Sequence, residues 1–209
     1  MLSNEEIGNQ LKSELEIAIS EYKSSNKFKK TEKVFNKLMS YDFDEYKSDL
    51  KKKVVKKIKK RWTNPKEGIN PEQKLDAILF EHEFPQEKDQ KTKLYGIINW
   101  KKETIKHVKV KMGFSYDFAD GLEQIKGIKT QFFNPFVKKK LGKSYYENGV
   151  LITEDRELAK CFQLKGIIAI HEVFNELNDK NAFDKINKNE NFHFVFGEHD
   201  DEYYLILSI

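Results

Sequence analysis

The sequence of 209 residues contains a single cysteine, Cys161. One thiol can form no intrachain disulfide and cannot supply the thiolates of a structural zinc site. The chain also has no Asn-x-Ser/Thr acceptor for glycosylation, and residues 1–6 are acidic rather than apolar, unlike a signal peptide. These absences favour the cytoplasm as the compartment of the protein.

The motifs that mark several enzyme classes are missing as well. There is no Gly-x-x-x-x-Gly-Lys or Gly-x-Gly-x-x-Gly phosphate loop and no Gly-x-Ser-x-Gly nucleophile turn. His171-Glu172 begins like the His-Glu-x-x-His zinc helix, but the second histidine position is Asn175, which cannot replace an imidazole on zinc. We therefore assign no catalytic residue, and we expect His171 to be a boundary residue on an amphipathic helix.

Two acidic segments resemble cation sites only superficially. Residues 198–202 are rich in carboxylates and lie near His193, and residues 116–121 combine acids with Gly121. Neither segment has the spacing of a calcium-binding loop, and polar turns between strands have the same composition. The sequence thus predicts no bound metal and no cofactor.

Arginine is nearly absent, and this limits the partners that the basic residues can recognise. Of the 38 basic residues only Arg61 and Arg156 are arginine, the residue that most often reads guanine in DNA. Residues 1–66 carry a net charge of +7 and the rest of the chain −3.

The longest apolar runs, near residues 167–170 and 203–207, are too short to span a bilayer, so no membrane partner is expected.

The apolar pattern predicts a helical first part followed by a mostly β second part. Ser3 and Glu6 fit a capping box for a first helix, a second helix fits residues 31–39, and Asp42 or Asp44 caps a third that runs to about Trp62. Residues 63–71 contain two prolines and a glycine, which end the third helix. Strands are predicted over residues 75–83, 93–100, 104–114 and 128–133, with turns at Asp120-Gly121 and Asn148-Gly149.

The remainder of the chain predicts one long helix and a hairpin. The helix begins at residues 153–155 and is divided at Gly166, with Cys161 as an inert side chain on its apolar face. Two strands over residues 192–197 and 202–209 then form the hairpin, and the last strand is apolar on both faces, as in a covered strand. The expected fold class is α+β: an N-terminal helical segment (1–64) packed on a mixed or antiparallel sheet within an α+β domain (65–209), or one continuous domain.

The most distinctive stretch is the lysine-rich third helix. At about 100° per residue, its apolar side consists of Leu50, Val54, Val55, Ile58 and Trp62. Its cationic side consists of Lys52, Lys53, Lys56, Lys57, Lys59 and Lys60. A solvated face on a packing helix is the plainest interpretation. An acidic protein partner comes next, then the phosphate backbone of a nucleic acid, and then a membrane surface.

The function cannot be determined from these patterns, and three hypotheses follow in order. The first is a non-catalytic, cytoplasmic protein-interaction module of bacterial type, such as a toxin-neutralising or regulatory binder, with an acidic protein as partner. The second is non-specific nucleic-acid binding through the lysine-rich helix. The third is an enzyme whose Glu, Asp and His residues are not contiguous. The patterns leave the oligomeric state open.

Overall fold

The computed structural model describes residues 2–25, 28–59, 72, 74–82, 91–98, 100, 105–110, 125–129, 144–147, 150–153, 156–198 and 203–209. Within these residues the helices are α1 (Asn4–Ser24), α2 (Phe28–Met39), α3 (Asp44–Ile58) and α4 (Arg156–Asp179). The strands are β1 (Leu75–His82), β2 (Lys91–Ile97), β3 (Lys109–Val110), β4 (Ile125–Lys129), β5 (Ser144–Glu147), β6 (Val150–Thr153), β7 (Lys188–Glu198) and β8 (Tyr203–Ser208). The predicted α+β class is confirmed.

Six of the strands form one mixed sheet in the order β3-β8-β7-β1-β2-β4. β1 and β7 are parallel, whereas the other neighbours in the sheet are antiparallel. β7 and β8 form the predicted C-terminal hairpin. β5 and β6 form a separate antiparallel pair in which Glu147 faces Val150, on either side of the predicted Asn148-Gly149 turn.

Local sequence signals explain how the long helices begin and continue. Ser3 caps α1, since its Oγ accepts from the Glu6 backbone N–H at 3.2 Å and its own N–H donates to Glu6 Oε2 at 2.7 Å. The predicted capping box is therefore confirmed. α4 runs without a break through Gly166, so the expected division of this helix is wrong. One glycine in a helix costs only about 1 kcal/mol relative to alanine. The burial of the nearby Leu164 and Ile167 offsets this cost.

One hydrophobic core joins the helices to one face of the sheet. Apolar side chains of α1, α3, α4, β1, β7 and β8 belong to a single buried cluster. A smaller cluster on the opposite face consists of Ala77, Leu79, Ile97 and Val195, which alternate with residues of the larger core, as strand geometry requires. The predicted boundary between residues 64 and 65 lies outside the described residues.

The strand expected over residues 104–114 differs from the structure at its described residues, 105–110. Within residues 105–110 the strand is limited to β3, and residues 105–108 are irregular. The backbone there is bound by α1 instead: the Val108 N–H donates to Gln10 Oε1 at 2.9 Å, and Gln10 Nε2 donates to the Lys106 carbonyl. Residues 111–114 lie outside the described part, as do the loop at 63–71 and the Asp120-Gly121 turn.

The four described helices all lack the combination of length and apolar content that crossing a bilayer requires. α4 is the most apolar of them, and its buried residues include Phe162, Val173 and Phe174. These side chains belong to the same cluster as residues of the sheet. The apolar content of α4 is therefore accounted for by the interior of the protein.

Candidate interaction surface on α3

The inner side of α3 is a ladder of residues spaced four apart. Tyr46, Leu50, Val54 and Ile58 are at most 7% exposed and belong to the main core. A spacing of four keeps side chains along nearly the same line of a helix. The predicted inward orientation of Leu50, Val54 and Ile58 is confirmed, and Trp62 lies outside the described residues.

The prediction that Val55 belongs to the inner side is wrong. Its side chain is 41% exposed. Val55 follows Val54 by one residue, which rotates it by about 100°. Since Val54 lies at the centre of the buried ladder, that rotation brings Val55 to the solvent-facing flank.

Two lysines on the near flank of α3 tie it to α4. Lys47 Nζ lies 2.7 Å from Glu172 Oε2, and Lys51 pairs with Glu176, which also accepts from Lys180. The hydrogen bonds from Lys180 and Lys51 lower the pKa of Glu176 to about 2, and the bond to Glu172 raises the pKa of Lys47. The positive charge on this flank is therefore balanced within the fold.

Five of the six lysines of the predicted cationic side lie in the described residues, and they separate into two groups. Lys53 and Lys57 are half-buried, and Lys53 pairs with Asp49. Lys52, Lys56 and Lys59 are exposed, and we call these three residues the outer basic face. Lys60 lies outside the described residues. Neither Lys52 nor Lys56 has an acidic partner in the described part of the chain.

A surface cleft of about 540 Å³ borders the outer basic face at the end of α3. The described residues that line it are Val55, Ile58, Lys59, Asn181, Ala182, Asp184 and Lys185. α3 contributes the apolar floor and one ammonium group, and the segment after α4 contributes the opposite wall. The cleft thus combines exposed apolar surface with two lysines and one carboxylate.

The wall of the cleft is shaped by the way α4 ends. Asn181 has a positive φ of 58°; its N–H donates to the Asn178 carbonyl at 2.8 Å, and the Ala182 N–H donates to the Leu177 carbonyl at 3.0 Å. These two bonds define a Schellman motif. The residue with positive φ in this motif is usually glycine, and asparagine is the next most common. This turn was not among the sequence predictions, although an asparagine after the last turn of a helix is a signal for it.

His171 is buried, so the expectation that it is a boundary residue on an amphipathic helix is wrong. Its side chain is 7% exposed, and Nδ1 lies 2.7 Å from the Ile206 carbonyl. Since a carbonyl only accepts, Nδ1 donates and carries the proton. Burial lowers the pKa of this histidine. Its place is between Gly8 of α1 and Ile206 of β8.

Asp76 and His193 are also buried polar side chains, and both pair within the fold. The Asp76 carboxylate accepts from the Trp100 N–H at 2.9 Å and from Asn189 at 3.1 Å, and His193 Nδ1 lies 3.0 Å from Ser208 Oγ. Within the described ranges no three His, Cys, Asp or Glu side chains come close enough to hold a metal ion. Residues 199–202, the remainder of the acidic turn, lie outside those ranges.

The sole cysteine is equally enclosed. Cys161 is fully buried on α4, and burial raises its pKa to about 12. A thiol in that state is not a nucleophile at neutral pH. The predicted inert, packing role of Cys161 agrees with this environment.

Comparisons with known proteins do not connect the chain to a family. No family model matches the sequence, and the searches of curated proteins and of solved structures find no match either. The outer basic face and its adjoining cleft are therefore the basis on which a function is argued.

Proposed function

We propose that this protein is a non-catalytic interaction module of the cytoplasm that binds an acidic protein surface through the outer basic face. One observation carries this proposal. The fold balances Lys47 and Lys51 with the carboxylates of α4, whereas Lys52 and Lys56 point outward with no acidic partner among the described residues. Complementary charge of this kind steers encounter and selects partners.

An exposed valine among the lysines favours a protein over a nucleic acid as the partner. Val55 lies on the same flank as Lys52, Lys56 and Lys59 and is 41% exposed. A protein partner gains about 25 cal/mol for each Å² of apolar surface that it covers. Binding to a phosphate backbone gains its free energy from the cations and not from an apolar side chain.

The groups around the cleft suit binding better than catalysis. Its polar side chains are Lys59, Lys185, Asp184 and Asn181, and Asp184 and Lys185 are exposed. General acid–base catalysis relies on a group whose pKa is tuned by burial or by close neighbours. Exposed groups around an apolar floor instead resemble the polar rim of an interface.

The experiment is a charge reversal on α3 with a matched charge reversal on α2. Lys52→Glu/Lys56→Glu/Lys59→Glu removes the outer basic face. Lys29→Glu/Lys33→Glu/Lys37→Glu changes three exposed lysines on one side of α2 and changes the net charge equally. Binding to a glutamate-rich peptide and to random-sequence duplex DNA is measured by fluorescence anisotropy at low and at raised salt.

We expect the α3 variant, but not the α2 variant, to lose its affinity for the peptide. We also expect the wild-type affinity for the peptide to fall at raised salt, because salt screens the charges. Both variants should melt near the wild-type temperature, because exposed charges contribute about 0–1 kcal/mol per pair. Unchanged peptide binding by the α3 variant would contradict the proposal. If the α3 variant lost binding to DNA but kept binding to the peptide, the result would instead establish nucleic-acid binding.

A further inference from the structure

We infer that the cleft at the end of α3 receives the apolar side chains of an acidic, amphipathic helix presented by the partner, an inference that rests on the proposed function. The proposed function requires only that the partner is acidic, whereas this inference requires that the bound part of the partner is a helix with an apolar side. The contacts, the spacing along α3 and the charge around the cleft carry it.

The apolar part of the site is continuous from the helix flank into the cleft. Val55 is 41% exposed and lines the cleft together with Ile58, whose side chain is 2% exposed, and with Ala182 on the facing wall. A volume of about 540 Å³ lies in the range of pockets that enclose a small organic ligand. The cleft therefore has room for more than one aliphatic side chain.

The charged part of the site runs along the axis of α3. From Lys52 to Lys59 the helix rises about 10 Å, or two turns. Lys185 adds a fourth ammonium group on the far side of the cleft, and Asp184 is the one acidic residue among the described residues of its lining. A ligand that follows this surface meets positive charge at each turn, beside an apolar groove.

A helix is the form of peptide that matches this geometry. Recognition of an amphipathic helix in a groove uses apolar side chains spaced three and four residues apart. The lysines of the outer basic face and Val55 of α3 recur at the same intervals of three and four residues, so a helix laid along α3 presents its own side chains at matching intervals. A partner helix with acidic residues beside its apolar stripe would place carboxylates against the lysines and apolar groups in the cleft.

The test compares two helical peptides of about 18 residues, long enough to form helix, with identical numbers of glutamates. One peptide has leucine along one side, and the other has glutamine at those positions. The protein is titrated with each peptide in four forms: wild type, Val55→Ser, Ile17→Ser and Ala182→Leu. Ile17 is 50% exposed on α1 and serves as the control for removing an exposed apolar side chain.

Wild type should bind the leucine peptide about tenfold more tightly than the glutamine peptide, the gain expected for one well-covered apolar group. Val55→Ser should remove this preference, and Ile17→Ser should keep it. Ala182→Leu should also weaken the leucine peptide, because it fills the cleft from the facing wall. Leucine is tolerated there, since this position of a Schellman motif favours an apolar residue.

The outcomes separate the inference from the proposed function. Equal binding of both peptides through the lysines of the outer basic face would overturn the inference and leave the proposal standing. A preference for leucine that survives in Val55→Ser and Ala182→Leu would also overturn it. Failure of wild type to bind either peptide would overturn both.

Discussion

The side-chain amide of Asn4 binds both backbone groups of Ser208. Asn4 Nδ2 donates to the Ser208 carbonyl at 3.1 Å, and the Ser208 N–H donates to Asn4 Oδ1 at 3.0 Å. β8 has β7 on one side and the two-residue β3 on the other. At Ser208 the amide therefore takes the place of a neighbouring strand, because β3 does not extend along β8 to this residue. This limits the pairing of the β8 edge with other chains.

Asn4→Ala should lower the free energy of unfolding by about 1–2 kcal/mol, since it leaves two part-buried backbone groups without these bonds. Asn4→Asp is a sharper variant. An acid in the first turn of a helix is normally favourable, but here its second oxygen would face the Ser208 carbonyl. Urea denaturation should find Asn4→Asp less stable than wild type; equal or greater stability would refute the role of Asn4 at the strand edge.

Stability should fall as the pH falls below about 6.5 because of His171. Burial lowers the pKa of His171 from 6.5, so the unfolded chain takes up the proton before the folded chain does. The stabilisation is complete above the unfolded pKa and is lost as the pH falls towards the folded value, with a slope of up to about 1.4 kcal/mol per pH unit. Urea denaturation between pH 7.5 and 5 measures this slope.

The control for that measurement is His171→Asn, which retains a donor for the Ile206 carbonyl but does not titrate. Its stability should change less over the same range of pH. Glu176 does not interfere, because its pKa is lowered from 4.5 to about 2 and its contribution is lost only below about pH 4.5. An equal slope in both proteins would assign the pH dependence to other groups.

Gly8→Ala should destabilise the protein, although alanine favours a helix over glycine by about 1 kcal/mol. A Cβ at Gly8 would lie 2.8 Å from His171 Nε2, and the ring is held by its bond to Ile206. We expect a loss of roughly 1–3 kcal/mol, typical of overpacking. In a His171→Ala background the same change should become stabilising, and a double-mutant cycle measures the coupling. Additive effects would exclude the close contact.

Deletion of residues 203–209 should abolish cooperative unfolding. Tyr204, Leu205, Ile206 and Leu207 are fully buried, and burial of each contributes about 1.5–3 kcal/mol. Their sum is comparable to the whole stability of a domain. Circular dichroism during heating is the measurement, and a truncated protein that melts near the wild-type temperature would show that β8 is dispensable.

Ile58→Asp should destabilise the protein strongly, whereas the Glu substitutions at Lys52, Lys56 and Lys59 should not. Ile58 is 2% exposed in the core, and a carboxylate there would lose its hydration without a partner. The three lysines are exposed. Guanidinium denaturation of both variants tests the orientation of α3 independently of any binding, and similar losses in both would mean that the helix is rotated.

The features predicted correctly from sequence are those set by neighbouring residues. The Ser3–Glu6 capping box lies within one turn, the β7–β8 hairpin closes over a short connection, and Leu50, Val54 and Ile58 repeat with the helical period. Each of these signals is complete within a few residues. The surface that the structure describes around Lys52, Lys56 and Lys59 is likewise visible in the local pattern, although binding there stays a prediction.

The features that were missed depend on residues far apart in the chain. Val55 was placed inside because a wide apolar stripe does not reveal which of its edges the rest of the protein covers. The burial of His171 depends on Gly8 and Ile206, which lie more than 30 residues away on either side. Lys185 and Ala182 reach the cleft only because the turn at Asn181 redirects the chain towards α3.

The parallel pairing of β1 with β7 also governs how the chain acquires its fold during synthesis. Ile78 in β1 pairs with Phe194 in β7, so the centre of the sheet joins segments more than 100 residues apart. β1 and β2 leave the ribosome well before that partner exists, with Ile78, Leu79 and Phe80 still uncovered. Contacts of such separation slow folding, and exposed strands of this kind are substrates for chaperones until β7 and β8 arrive.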